Sequence, residues 1–499
     1  MISEKAQLKK FYYSLEEYDY ETELKFIINN YLLSLLGISC DVDSLKEIEL
    51  MTLQERNNSN IYFNENKIIF KSNRISSKGF CIDVSTKDDE FKDSYLSKIR
   101  VVYEELCKIT YNNFNKDNAI LNNYSSFAKI ICEYDYAVQR GICHWIADDC
   151  PEQLEHLLII LEKWSSKTYE GKKVPFAFVI NLKNTNGSFN YINFLYEEYS
   201  ATFTDGITSI IELDKNLNFI KYDSLTENNN IIGTNISSSP YRFAQVIENF
   251  TKGNNKVGIV LLTSGDIILI KNTKIELIKR DGYWINFNKD IFVSVVMGVN
   301  KKYLEKYGKK LIDSPLLNEI FYTALDVSFS HGGGLIAVIY DKTDLISIKE
   351  FKDALNNIKE GPYGIISFID DLSTPLPNYN DLYIKSEYFQ NHKIRKRFNK
   401  REAIIALADK NNDESNSINF IKLDRKLRAE FVSMDGATIL DKEGNIISFG
   451  AIIQNDSGSY GGGRGTAARK LSKYGLAIKI STDGYIEVYI DDEIKYRMK

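Results

Sequence analysis

Residues 204–220 read Thr-Asp-Gly-Ile-Thr-Ser-Ile-Ile-Glu-Leu-Asp-Lys-Asn-Leu-Asn-Phe-Ile, and residues 434–447 read Met-Asp-Gly-Ala-Thr-Ile-Leu-Asp-Lys-Glu-Gly-Asn-Ile-Ile. Both run from Asp-Gly through an apolar strand into an Asp turn, then through Asn into a second apolar strand. The parallel continues downstream. Arg242-Phe-Ala-Gln precedes Lys256-Val-Gly-Ile-Val-Leu-Leu-Thr-Ser-Gly-Asp-Ile-Ile-Leu-Ile270, and Arg464-Gly-Thr-Ala-Ala precedes Tyr474-Gly-Leu-Ala-Ile-Lys-Ile-Ser-Thr-Asp-Gly-Tyr-Ile-Glu-Val488. The offset between copies drifts from 230 at the Asp-Gly to 222 at the Arg and 219 at the later Gly. A constant order with a slowly drifting offset is what loop-length changes between two copies of one unit produce.

Upstream of each copy lies a helix pattern and a buried-strand pattern. Residues 152–164 carry apolar positions at helical period after Pro151, which suits a first helical turn, with Asp149 or Cys150 as the cap. Val174–Ile180 is a nearly continuous apolar run, as expected for a strand covered on both faces. Residues 315–329 and Gly334–Tyr340 repeat that pair. The second copy is longer by a stretch at about 341–430. The remaining segment, 1–145, mixes helical spacing at 15–36, 91–113 and 118–139 with two short strands around Asn64-Glu65-Asn66. The expected fold class is therefore α/β: mixed sheets flanked by helices. An N-terminal domain of unassigned role (1–145) precedes two similar domains, 150–295 and 305–499, the second carrying the insertion.

Composition narrows the function classes. Of 499 residues, 63 are Lys or Arg and 68 Asp or Glu, a net charge of −5. A chain so balanced is not a general nucleic-acid coater. No apolar run approaches a membrane span, and Met1–Tyr20 has no apolar h-region, so the expectation is a cytoplasmic protein without a membrane partner. All six cysteines (Cys40, Cys81, Cys107, Cys132, Cys143 and Cys150) fall in the first 150 residues. Without a paired C-x-x-C, buried free thiols are favoured over a zinc site built on Cys132, Cys143, His144 and Cys150.

The strongest chemical signal is Ser457-Gly-Ser-Tyr-Gly-Gly-Gly-Arg-Gly-Thr-Ala-Ala-Arg-Lys470. A glycine run lets backbone N–H groups approach a ligand, Arg464 offers a guanidinium that matches phosphate, and Thr-Ala-Ala reads as the helix start. The run fits neither a P-loop nor G-x-G-x-x-G. A flexible loop with a solvated Arg464 is the competing reading. Asp435-Gly436 and Asp205-Gly206, each entering a buried strand, could hold a divalent cation or a ribose hydroxyl, or be ordinary turns. His331-Gly-Gly-Gly334 lacks any G-x-S-x-G partner, which excludes a serine hydrolase, and its glycines suit a tight helix-to-strand turn. The basic run His392–Arg401 has the residue types for nucleic-acid contact, and a solvated helix face explains it as simply.

These motifs give the second copy a family likeness. Gly333-Gly-Leu-Ile-Ala-Val-Ile339, Asp435-Gly-Ala437, Gly462-Gly-Arg-Gly-Thr-Ala-Ala468 and Ser481-Thr-Asp-Gly484 resemble, in order, the motifs of the diadenylate cyclase domain of the DNA-integrity-scanning protein and its relatives. The first copy resembles it more loosely through Asp205-Gly-Ile207, Arg242 and Ser264-Gly265. The resemblance implies that Asp435 places a Mg²⁺ or Mn²⁺ ion and the attacking hydroxyl of ATP. It implies nucleotide contacts from Gly436, Ala437, Gly461, Gly462, Gly463, Arg464, Gly465, Thr466 and Ser481, with Asp205, Gly206 and Arg242 as first-copy equivalents. It also implies pairing of cyclase-like domains, hence a homo-oligomer or a pair within one chain. The family's Arg-His-Arg loop is altered here: its His falls at Gly465 and its second Arg at Thr466. Three functions follow, in order: a nucleotide-binding sensor of ATP or a cyclic dinucleotide, in a bacterial stress or phage-defence system; an active cyclase making cyclic di-AMP; and a structural interaction protein with a relic site.

Overall fold

The computed structural model describes residues 25, 27–36, 46–49, 61–64, 67–71, 78–83, 89–114, 124–169, 171–196, 204, 209–224, 250–253, 255–286, 289, 292–293, 296–297, 312–339, 358–359, 418–453 and 462–498. The chain is mixed α/β and divides into two compact units, Met1–Asn288 and Lys289–Lys499. No described helix is long and apolar enough to cross a membrane.

After a helical stretch, Ile28–Leu32 and Leu33–Leu36, the first unit forms an antiparallel sheet ordered β1 (Lys46–Glu49), β4 (Lys78–Asp83), β3 (Lys67–Lys71), β2 (Ile61–Asn64). Strands β2 and β3 pair antiparallel, Ile61 with Phe70 through Asn64 with Lys67. Helix α1 (Asp89–Phe114) meets this sheet where the Tyr103 hydroxyl donates to the Lys71 carbonyl, 2.8 Å, and the Tyr103 and Phe70 rings lie edge to face. Helices α2 (Tyr124–Ile146) and α3 (Pro151–Ser165) follow. Pro151 occupies the first helical turn, and Cys150 takes the N-cap position without a side-chain bond. Proline's fixed φ, not a hydroxyl cap, therefore starts α3. None of the described cysteines is in a disulfide, and Cys81, Cys107, Cys143 and Cys150 are buried. Burial pushes the Cys150 thiol up to about 11 and Cys143 well above its ordinary value, so both stay protonated and unreactive at neutral pH.

A seven-stranded sheet forms the rest of this unit, ordered β13-β12-β11-β10-β7-β8-β9. The strands are β7 (Phe176–Asn181), β8 (Ser209–Asp214), β9 (Phe219–Ser224), β10 (Lys256–Leu261), β11 (Ile267–Lys271), β12 (Lys274–Arg280) and β13 (Tyr283–Ile285), and β5 (Thr168–Tyr169) with β6 (Lys172–Lys173) makes a separate ribbon. Only β7–β8 is parallel. The apolar runs of β7, β10 and β11 are buried, as strands covered on both faces require. Trp164 of α3 meets Phe176 of β7 edge to face at 5.3 Å. Lys279 of β12 ties this sheet to the helices by donating to Gln139 (2.7 Å) and Glu162 (2.6 Å).

The second unit contains α5 (Ser314–Phe329), after the short α4 (Tyr191–Leu195) of the first, and then a seven-stranded sheet ordered β15-β17-β16-β14-β18-β19-β20. Its strands are β14 (Gly334–Ile339), β15 (Ile358–Lys359), β16 (Ala437–Leu440), β17 (Ile446–Ile453), β18 (Gly475–Ile480), β19 (Ile486–Ile490) and β20 (Glu493–Met498), with α6 (Arg425–Val432) and α7 (Gly462–Ser472) between them. Again one pair, β14–β16, is parallel and the others antiparallel. Six strands of each sheet thus share one connectivity, β7-β8-β9-β10-β11-β12 against β14-β16-β17-β18-β19-β20. The extra strands, β13 and β15, sit at opposite edges.

The likeness extends to single hydrogen bonds. The side-chain oxygen of Asn190 accepts from the Ile192 N–H, and that of Asn419 from the Ile421 N–H. Asp214 accepts both the backbone and side-chain N–H of Asn218, and Asp441 does the same for Asn445. Irregular register falls at Glu212/Leu213 and Ile439/Leu440, and at Leu269/Ile270 and Val488/Tyr489. Ile211 pairs with Phe178 as Thr438 pairs with Ile336, an offset of 227 against the 230 between the Asp-Gly steps.

Candidate functional site

Four chain segments of the second unit converge on Arg464. The first is the turn from α5 to β14. Helix α5 ends at Phe329 and β14 begins at Gly334, so the glycines of 332–334 make the expected tight turn. A Cβ on Gly333 would collide with Nη1 of Arg464 and stand 3.2 Å from the Thr482 methyl. Glycine at 333 is what lets the guanidinium seat against the backbone.

The second segment is Asp435-Gly436, between α6 and β16. Gly436 has φ +102°, and a Cβ there would run into the Gly450 carbonyl carbon of β17. That turn leaves the Asp435 side chain 81 % exposed, with Oδ1 3.8 Å from Nη2 of Arg464. Ala437, one residue on, is buried in the apolar cluster with Ala468, Ala477 and Leu335, and acts in packing.

The third segment is α7. The helix starts at Gly462, not at Thr466, so Gly462, Gly463, Arg464 and Gly465 form its first turn and not a loop before it. Interior glycines cost roughly 1 kcal/mol each in a helix. Here packing offsets the cost, because Gly465, Ala468 and Leu471 are buried against the sheet. The Thr466 hydroxyl turns back to the Gly462 carbonyl, 3.4 Å. The Nε of Arg464 is buried and makes no hydrogen bond. The fourth segment is the β18–β19 turn, where Ser481 closes its own turn by accepting the Tyr485 N–H at 3.1 Å. Gly461, Asp205, Gly206, Arg242 and the basic run 392–401 lie outside the described residues.

Beside Arg464, under α7, lies a polar row that the motifs do not announce. Lys479 of β18 pairs in register with Glu487 of β19, which pairs with Arg497 of β20. Glu487 accepts from Lys479 Nζ (3.0 Å), Arg497 Nε (2.7 Å) and the Tyr489 hydroxyl (2.7 Å). The only sequence signal for it is a single charge inside the otherwise apolar β18 and β19 and the alternating charges of β20. Burial opposes ionisation of Glu487, but the Tyr489 hydroxyl, Arg497 and Lys479 together outweigh it, and its carboxyl titrates below the usual range. A depressed folded-state pKa adds stability above the unfolded value, about 4.3, that is lost as pH falls through the folded value. Glu487→Gln is therefore expected to be less stable than the parent at pH 7 and to lose less stability in acid. Denaturant titrations at pH 7 and pH 3 check this, and parallel pH profiles would count against it.

Among the described residues, no group of three or more His, Cys, Asp or Glu could hold a metal. Asp435 alone suits a Mg²⁺ or Mn²⁺ ion shared with phosphate oxygens, since Mg²⁺ sites commonly use one or two carboxylates plus substrate phosphates. Compared with protein-family models and with curated proteins, the chain matches none.

Proposed function

We propose that the second unit binds the phosphate groups of a nucleotide at Arg464, and that the chain is a nucleotide sensor built from two diverged diadenylate-cyclase-like units. The supporting observation is Arg464 itself. Its guanidinium is seated against Gly333, has one carboxylate near it at 3.8 Å, and keeps a buried Nε without a partner. A guanidinium fork suits two phosphate oxygens, and the first-turn N–H groups of α7 add donors. The shared connectivity and matching turns of the two sheets support the reading of one unit in two copies. The exposure of Asp435 beside Arg464 favours a second reading, an active diadenylate cyclase, with Asp435 and nucleotide phosphates sharing Mg²⁺ or Mn²⁺.

Calorimetric titration of the full chain with ATP and Mn²⁺, followed by mass spectrometry of the mixture, tests both. The expected result is saturable binding that Arg464→Ala weakens roughly tenfold to hundredfold, since a charge-assisted bond contributes about 1.5–3 kcal/mol. Bound ATP recovered intact supports the sensor. A cyclic dinucleotide whose formation Asp435→Ala abolishes supports the cyclase. Absence of binding to ATP, ADP and cyclic di-AMP overturns the proposal.

A further inference from the structure

Lys479 is one of two cations, with Arg497, that flank Glu487, and the row is built asymmetrically. Glu487 takes bonds from three donors at once, while Lys479 gives it a single one of its three. Lys479 Nζ lies 3.8 Å from the position a Cβ would take on Gly465, one residue from Arg464. That is ordinary van der Waals contact distance, so the ammonium lies against the first turn of α7 beside Arg464. The side chains of Lys479 and Glu487 keep only 17 % and 13 % of their exposure. A flexible lysine is costly to order, yet this one is held by a carboxylate that is itself clamped by Arg497 and Tyr489. The first unit has no counterpart: by register, Val260 and Ile268 stand where Lys479 and Glu487 stand. Among the described residues, the row therefore belongs to the second unit alone.

We infer that Lys479 is a second phosphate-binding cation of the Arg464 site, with Glu487, Arg497 and Tyr489 as the residues that position it. The inference rests on the nucleotide reading above and deepens it. The row carries a net charge of +1, from Lys479 and Arg497 against Glu487, and with Arg464 and Asp435 the pocket stays at +1. Such a site selects ligands by their phosphate charge. Lys479 contributes to terminal phosphates and nothing to the base or ribose.

The test titrates ATP, ADP, AMP and adenosine into the full chain and into Lys479→Met, Lys479→Arg and Glu487→Gln. Lys479→Met is expected to lose at least tenfold in ATP and ADP affinity and to bind AMP within twofold of the parent. Lys479→Arg should restore most of the ATP affinity, and Glu487→Gln should fall between. An ion pair that serves stability alone would lower the melting temperature of Lys479→Met and leave the ATP-to-AMP ratio unchanged, which overturns the inference. Should Lys479→Met fail to fold, equal ATP-to-AMP ratios in the parent, Lys479→Arg and Glu487→Gln overturn it equally. A parent chain that binds none of the four ligands removes the nucleotide reading itself, a different outcome from a parent that binds and a Lys479→Met that binds as well.

Discussion

Asp214→Ala is expected to destabilise the first seven-stranded sheet by about 3–5 kcal/mol. Asp214 is fully buried. Its Oδ1 accepts the N–H groups of Asn216 and Asn218, both at 2.8 Å, and its Oδ2 accepts the Gly187 N–H at 3.0 Å and the Asn218 amide at 3.1 Å. Three of these donors are backbone groups at the end of β8 and in the segment before α4. Removing the carboxylate strands them, and an unsatisfied buried donor costs roughly 1–3 kcal/mol. Asp441 occupies the corresponding turn and, among the described residues, accepts from Asn445, at 2.8 and 2.9 Å. Asp441→Ala should therefore cost less, about 1.5–3 kcal/mol. Because the chain has two units, a single melting curve would blend their responses. Hydrogen exchange read on peptides from 184–224 and 418–453 separates them. Equal protection losses in the two peptides would refute the account.

The architecture was legible where local chemistry agrees with tertiary context. The continuous apolar runs of β7, β10 and β14 have only one favourable disposition, buried on both faces, and Pro151 and Pro315 mark the first turns of α3 and α5. The Asp turns at 214 and 441 were visible because Asp and Asn cluster there, with Gly444 in the second, between apolar strands. The glycine run was legible as a backbone-approach site but not in its conformation. Propensity argues against a helix through Gly462–Gly465, and only the packing of Gly465 and Ala468 against the sheet reverses that. The seat of Arg464 on Gly333 joins residues 131 positions apart, a spacing no local pattern encodes. The Lys479–Glu487–Arg497 row exists only once three strands pair in one register, and alone each residue reads as a charge on a strand.

What holds Asp435 in place leads to the second large effect. Helix α6 ends at Val432, three residues before Asp435, and it is fastened to α5 by two ion pairs. Arg425 grips Asp326 with both Nε (2.6 Å) and Nη2 (2.9 Å), and Arg428 pairs with Glu319. The second pair is the buried one, with Arg428 6 % and Glu319 8 % exposed. Burial lowers the Arg428 pKa and Glu319 counters it, so the carboxylate is what keeps the guanidinium tolerable in the interior. Phe420, whose ring centre lies 5.8 Å from the guanidinium carbon, adds a cation–π contact that cannot replace a full charge. Glu319→Ala is thus expected to cost about 3–5 kcal/mol, the penalty for leaving a buried charge unpaired. In a unit of this size that lowers the melting temperature by roughly 6–20 °C. The Glu319→Leu, Arg428→Met double variant should recover most of the loss, because burying an ion pair gains little over burying apolar side chains. The two variants also separate stability from the site. If α6 positions Asp435 through this pair, ATP affinity falls in Glu319→Ala and returns in the double variant. A double variant as unstable as Glu319→Ala would mean that the pair itself, and not the relief of a stranded charge, stabilises the α5–α6 contact.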